Sequence, residues 1–151
     1  MSKANHGDTS ICHASALRKA SRRLSQLYDA ALAPTGLTIT QYGLLTELQK
    51  RGDKAPTVTE LAAAMVMERS GLGHTLDPLE RDGYIALAVS AQDARSRQVV
   101  LTVRGKVIQA KARKLWLQAQ EKFAEVVGNT EANKLQETLL SIAHDDRLGS
   151  I

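Results

Sequence analysis

Apolar residues recur at spacings of three and four over most of the chain, and one stretch departs from that rhythm. After a polar tail over residues 1–9, Leu17, Ala20, Leu24, Leu27, Tyr28 and Ala31 form a single stripe, which predicts an amphipathic helix from about Cys12 to Leu32. Arg18, Lys19, Arg22 and Arg23 fall mostly off that stripe. Ala33-Pro34-Thr35-Gly36 breaks the helix. Thr38 or Thr40 can cap a second helix containing Tyr42, Leu44, Leu45 and Leu48, which Gly52 and the segment Asp53 to Pro56 terminate. Thr57 followed by Glu60 has the form of a capping box, in which each side chain satisfies the other residue's amide. The short helix it opens carries Leu61, Ala62 and Met65.

Beyond a tight turn at Val66-Met67-Glu68, a fourth helix is predicted from Arg69 to Asp82. Leu72, Leu76 and Leu79 lie on one face, and Ser70, His74, Asp77 and Arg81 on the other. Pro78 withholds an amide from the carbonyl of His74 and is expected to bend the last turn. Gly83 stops the helix. The period then becomes two. Tyr84 to Val89 and Gln98 to Val103 read as strands of a hairpin around the polar stretch Ser90 to Arg97. A long helix to Val127 passes through Val107, Leu115, Trp116 and Phe123, and a last one carries Leu135, Leu139, Ile142 and Ala143 on one face.

The order is four helices, a hairpin and two helices. The third and fourth helices form a helix-turn-helix and the hairpin is its wing. The chain is therefore expected to be mainly α with a small β-hairpin: a winged helix-turn-helix lobe over 38–102, plus a helical dimerisation region over 10–34 and 103–146. The first, fifth and sixth helices carry apolar stripes that a small lobe cannot cover alone, so a homodimer is expected.

Composition agrees. In 151 residues the apolar fraction is 43% and aromatics only 3%, so the core must be aliphatic. Lys and Arg outnumber Asp and Glu by 20 to 16, and the pI is about 9.4. That excess suits a polyanionic partner. Its placement is less simple: from Thr57 to Arg104 five arginines stand against six acidic residues, a net charge of −1. The positive excess lies in the first helix and between Arg104 and Lys122. Binding to nucleic acid must then depend on where individual arginines sit. The single cysteine, Cys12, excludes a disulfide framework. With no secretory leader pattern and no transmembrane run, the chain reads as cytoplasmic, without membrane partners.

Asp93-Ala94-Arg95-Ser96-Arg97, followed by Thr102 and Gly105, resembles the D-x-R-[SA]-[KR]…L-T-x-x-G signature of the MarR family of bacterial regulators. Leu79-Glu80-Arg81-Asp82-Gly83-Tyr84-Ile85 resembles that family's helix-to-wing junction, and Leu37 to Tyr42 its opening of the second helix. The likeness spans roughly residues 12–145. It implies a fourth helix in the DNA major groove, a wing arginine in the minor groove, and dimerisation through the first, fifth and sixth helices. Small effectors, often anionic aromatics, bind between dimer region and lobe in many such regulators. Others sense oxidants through a thiol near the N-terminus, from which Cys12 is slightly displaced outward along the chain.

The candidate DNA contacts are Arg69, Ser70, Gly71, Gly73, His74 and Thr75 on the recognition helix, and Asp93, Arg95, Ser96 and Arg97 on the wing. A helix N-terminus points amides at phosphate, and arginine pairs with guanine or phosphate. Two glycines there cost about 1 kcal/mol each relative to alanine, which a close approach of DNA to the backbone would explain. An Asp93–Arg95 ion pair is expected to brace the loop, with Arg95 entering a narrow minor groove and Arg97 tracking phosphate. The plainer reading is a solvated loop whose surface ion pairs contribute little.

Arg22, Arg23 and Tyr42 are candidates for a carboxylate-bearing aromatic effector, although a packing tyrosine and solvated arginines are the commoner case. Cys12 beside His13 is a candidate redox thiol, and with His6 the pair offers a weaker metal option; no metal or cofactor is expected. Paired carboxylates in a cleft, a phosphate-binding glycine loop and an oriented nucleophile are all missing from the pattern, so an enzyme is not expected. The expected function is a repressor on a pseudo-palindromic operator, released by a small effector. A thiol-based redox regulator, or a winged-helix module that binds only proteins, are the alternatives.

Overall fold

The computed structural model describes residues 10–149. Their elements are α1 (His13–Leu32), a 3-10 turn (Ala33–Thr35), α2 (Ile39–Arg51), α3 (Val58–Ala64), α4 (Arg69–Arg81), β1 (Ile85–Val89), β2 (Arg97–Leu101), α5 (Val103–Val127), α6 (Asn129–Ala143) and a short 3-10 turn (Asp146–Leu148). The chain is thus mainly α with one antiparallel hairpin, in which Ile85 pairs with Leu101 and Val89 with Arg97. The strands are shorter than the sequence pattern suggests, because Thr102 and Val103 already belong to the start of α5.

Local chemistry places each boundary. Thr38, not Thr40, caps α2, and with Gln41 it forms a complete reciprocal capping box. At α3 the Thr57 hydroxyl accepts from the Glu60 amide at 3.1 Å, but Glu60 makes no return bond to the Thr57 amide, so the capping box expected there is only half formed. Asp29 of α1 accepts from the Ile39 amide at 2.7 Å, so α1 satisfies the N-terminus of α2 and fixes the angle between them. Pro78 does not interrupt α4, which continues to Arg81.

The core is aliphatic and centres on the lobe, with Leu32 of α1 and Ala112 of α5 closing it. Leu32, Leu44, Leu45, Leu61, Leu72, Leu79 and Val99 are fully buried, with Tyr42 packed at 5.8 Å against Trp116 of α5. The segment before α3 joins the hairpin, since the Val99 amide donates to the Pro56 carbonyl and Thr57 bridges to Gln98. Outside the lobe the picture inverts. In α6 no residue is buried, and Leu17, Leu135, Leu140 and Ile142 stay 40–54% exposed. Being already about half buried, each such side chain has roughly 1 kcal/mol still to gain from full burial. No helix of the described residues is long and apolar enough to cross a membrane.

The turn of the helix-turn-helix is strained. Val66 has φ +51, the one non-glycine residue with positive φ among those described, and its side chain is 60% exposed. A β-branched residue in this region costs about 1–2 kcal/mol. Little burial is lost on removing the side chain, and glycine's extra unfolded-state entropy offsets only part of the gain. Val66→Gly should therefore raise the unfolding free energy by about 0.5–1 kcal/mol, seen as a higher urea midpoint at unchanged slope. An unchanged or lower midpoint would mean the turn carries no strain.

Candidate nucleic-acid interface

The recognition helix presents its N-terminal half outward. Arg69, Ser70, Gly71 and His74 are exposed, while Leu72, Leu76 and Leu79 anchor the opposite face in the core. Gly73 and Thr75 are half-buried, and the Thr75 hydroxyl donates to the Gly71 carbonyl at 3.1 Å, which turns it onto its own helix. A Cβ added at Gly71 or Gly73 would meet nothing within 4 Å. Neither has positive φ, so nothing inside the chain requires a glycine at either position.

The wing is held by its own backbone. The Ser90 amide donates to the Ser96 carbonyl, and the Ser96 amide to the Asp93 carbonyl, both at 3.0 Å. The expected Asp93–Arg95 ion pair does not form. The Asp93 carboxylate instead accepts from the Arg95 backbone amide at 2.9 Å and from the Ser96 hydroxyl at 3.4 Å. This is an Asx-type turn, which fixes a backbone group and orders no long side chain. The guanidiniums of Arg95 and Arg97 are exposed and make no ion pair among the described residues.

A junction below the wing ties helix, strand and α5 together. Gly83, at φ +79, ends α4. The Thr102 hydroxyl donates to the Gly83 carbonyl at 2.6 Å and accepts from the Gly105 amide at 3.0 Å, while the Thr102 amide donates to the Tyr84 carbonyl. The Arg104 guanidinium lies 5.5 Å from the centre of the Tyr84 ring. Two segments noticed separately in the sequence are therefore two sides of one joint, which sets the wing's position relative to the recognition helix.

The three candidate effector residues are not brought together. Tyr42 is only 4% exposed. Arg22 and Arg23 lie with Lys19 on the outer side of α1. The opposite side of α1 borders an apolar cleft of about 410 Å³ lined by Leu17, Leu24, Tyr28, Ile39, Leu135 and Leu139. The Tyr28 hydroxyl donates to the Gln120 carboxamide, and burial raises the Tyr28 pKa. This cleft was not legible as a site, because its leucines read as ordinary packing positions.

Cys12 is exposed at the N-cap of α1. The nearby Ser15 amide and hydroxyl and the Ala14 amide, with the charge of Arg18, lower its pKa, although the thiol closes no capping hydrogen bond. His6 lies outside the described residues, and no group of three potential ligands is arranged for a metal ion among those described.

Comparison with known proteins gives a consistent answer. Residues 35–96 match the model of the MarR family. An HTH-type transcriptional regulator of Bacillus cereus is 31% identical over 120 residues, covering 80% of this chain and 78% of that protein. The chain is similar to the Mycobacterium tuberculosis transcriptional regulator MosR in complex with DNA, with TM-score 0.82, 30% identity, and coverage of 93% of this chain and 100% of MosR. It is also similar to the transcriptional repressor CouR bound to a 23-mer DNA duplex, with TM-score 0.79, 28% identity, and coverage of 95% and 100%. CouR bound to p-coumaroyl-CoA aligns at 26% identity and TM-score 0.78, over 95% of this chain and 99% of CouR. This chain belongs to the MarR family: it is a winged helix-turn-helix, DNA-binding transcriptional regulator, of a kind whose members are dimers.

Proposed function

We propose that the protein is a repressor that binds a pseudo-palindromic operator as a homodimer and leaves it when a small anionic or aromatic molecule binds. The lobe of 38–102 meets DNA through α4 and the wing, and the segments 10–34 and 103–146 supply the dimer contacts. Two-fold symmetry sets the recognition helices about one helical turn, roughly 10 base pairs, apart. Regulation then proceeds by binding alone, with no chemical step on a substrate.

The observation that carries the release step is the cleft between α1, α2 and α6, whose Leu17 and Leu135 also belong to the stripes that meet the partner, so that in the dimer the partner closes one side of it. Ile39 in its wall belongs to the first turn of α2, whose N-terminus Asp29 of α1 holds. A ligand wedged there pushes on the connection between dimer helices and lobe, which changes the separation of the two recognition helices. An apolar cleft of this size takes an aromatic acyl group, and CouR, seen with both DNA and p-coumaroyl-CoA, supports that class.

A second reading is favoured by the placement of Cys12, exposed at the N-cap of α1 where the first amides of the helix lower its thiol pKa. The thiolate attacks peroxide, takes one oxygen to become sulfenic acid and releases hydroxide. One titration separates the two. Operator complex is challenged with p-coumaroyl-CoA and, separately, with hydrogen peroxide, using the native chain and Cys12→Ser. Release of both proteins by the thioester supports the effector reading. Release of the native chain alone by peroxide supports the thiol. A complex that survives the thioester contradicts the proposed effector class, and one that survives peroxide ends the redox reading.

A further inference from the structure

We infer that Asp77 is a specificity-determining residue that selects a cytosine in each operator half-site; this rests on α4 reading the major groove. Asp77 lies on the outward ridge Ser70, His74, Asp77, Arg81, opposite the buried leucines, and is exposed. Its carboxylate has no hydrogen bond or ion pair in the structure. Arg81, four residues on and ideally spaced for a helical ion pair, lies instead 3.9 Å from Asp82. Asp77 is also far from the helix N-terminus, where a carboxylate would cap amides or complement the dipole. No contact within the fold holds its carboxylate, which leaves both oxygens free to accept.

Its setting points to a hydrogen-bond donor. A carboxylate brought against DNA is repelled by phosphate and loses its water, so it is tolerated only where it accepts a hydrogen bond. Pro78 gives the His74 carbonyl no amide hydrogen, but that carbonyl points along the helix axis toward the proline ring. The ridge thus offers one outward acceptor here, the Asp77 carboxylate. In the major groove guanine shows only acceptors, thymine an acceptor and a methyl, and adenine a donor beside an acceptor. Cytosine alone shows a donor, its N4 amino group, with no acceptor of its own.

Reach comes from the two glycines. Gly71 and Gly73 flank the ridge, and the space beside each is empty. These bare positions lie one to two turns before Asp77, so they let the N-terminal end of α4 sink into the groove and bring the following turn, with its short aspartate, closer to the base edges. The lobe's net charge of −1 adds to the argument, since this helix does not attract DNA indiscriminately and gains by reading it.

The test is selection from a pool of randomised duplexes by the full-length dimer, comparing the native chain with Asp77→Ala and Asp77→Asn. The native chain should enrich a two-fold symmetric motif with one cytosine position per half-site. Replacing that cytosine should weaken binding roughly five- to a hundredfold. Asp77→Ala should keep the rest of the motif, lose the cytosine preference and bind scrambled DNA more tightly. Asp77→Asn should move the preference to adenine, whose N6 and N7 match a carboxamide. Unchanged circular dichroism would show that both variants fold. An unaltered cytosine position in Asp77→Ala, or a native motif requiring no cytosine, overturns the assignment. A native chain that enriches no motif would sink the major-groove reading itself.

Discussion

Gly105→Ala should destabilise the protein by about 3 kcal/mol, at the upper end of what overpacking usually costs. A Cβ at this position would stand 2.1 Å from the Tyr84 carbonyl oxygen and 2.6 Å from a Leu101 methyl. The leucine can rotate, but the carbonyl cannot, because it is backbone and already accepts from the Thr102 amide at 3.1 Å. Relief requires α5 to move away from the strand, which breaks the joint through which Thr102 holds Gly83. The wing should then lose its position relative to α4, and operator affinity should fall along with the urea midpoint. Gly73→Ala is the internal comparison. With nothing within 4 Å of the new methyl, helix propensity alone acts, and stability should rise by up to about 1 kcal/mol while DNA binding weakens. Equal unfolding midpoints for Gly105→Ala and the native chain would show that the junction is loose.

The elements were legible where local chemistry decides them. Thr38 and Thr57 each cap a helix with a side chain that finds an amide three residues on, an interaction within one turn of chain; Thr102 does the same for α5, but its place at the end of a strand-like run hides it. Leu72, Leu76 and Leu79 face the core as their spacing requires. The wing loop was legible in outline only. A two-residue spacing lets the Asp93 carboxylate reach either the Arg95 guanidinium or its amide, and the amide wins because it is already fixed in place. The cleft was not legible because Leu17, Ile39 and Leu135 lie on three helices far apart in sequence. Each helix shows its own stripe, but the angle between helices depends on contacts such as Asp29 to the Ile39 amide, which no periodicity reveals. Arg22, Arg23 and Tyr42 share a chemistry that suits a carboxylate-bearing aromatic, yet helical geometry sets the arginines on the outer face of α1 and the tyrosine against Trp116.

Arg95→Ala should leave fold and dimer intact and weaken operator binding by on the order of 1–3 kcal/mol. The side chain is exposed and takes no part in the hydrogen bonds that shape the loop, since Asp93 holds the Arg95 backbone and alanine keeps that amide. The loss should be felt strongly, because the lobe has no surplus of positive charge. It should also vary with flanking A·T content, as a minor-groove arginine reads groove width. Arg97 sits where the loop becomes β2, and its removal should weaken all sequences alike and reduce the salt slope by about one. The deciding measurement is a salt-dependent titration of the native chain, Arg95→Ala and Arg97→Ala against operator and scrambled duplexes. A sequence-dependent loss for Arg95 and a uniform loss for Arg97 are predicted. Small, equal losses for both variants on both duplexes would mean that the wing does not touch DNA.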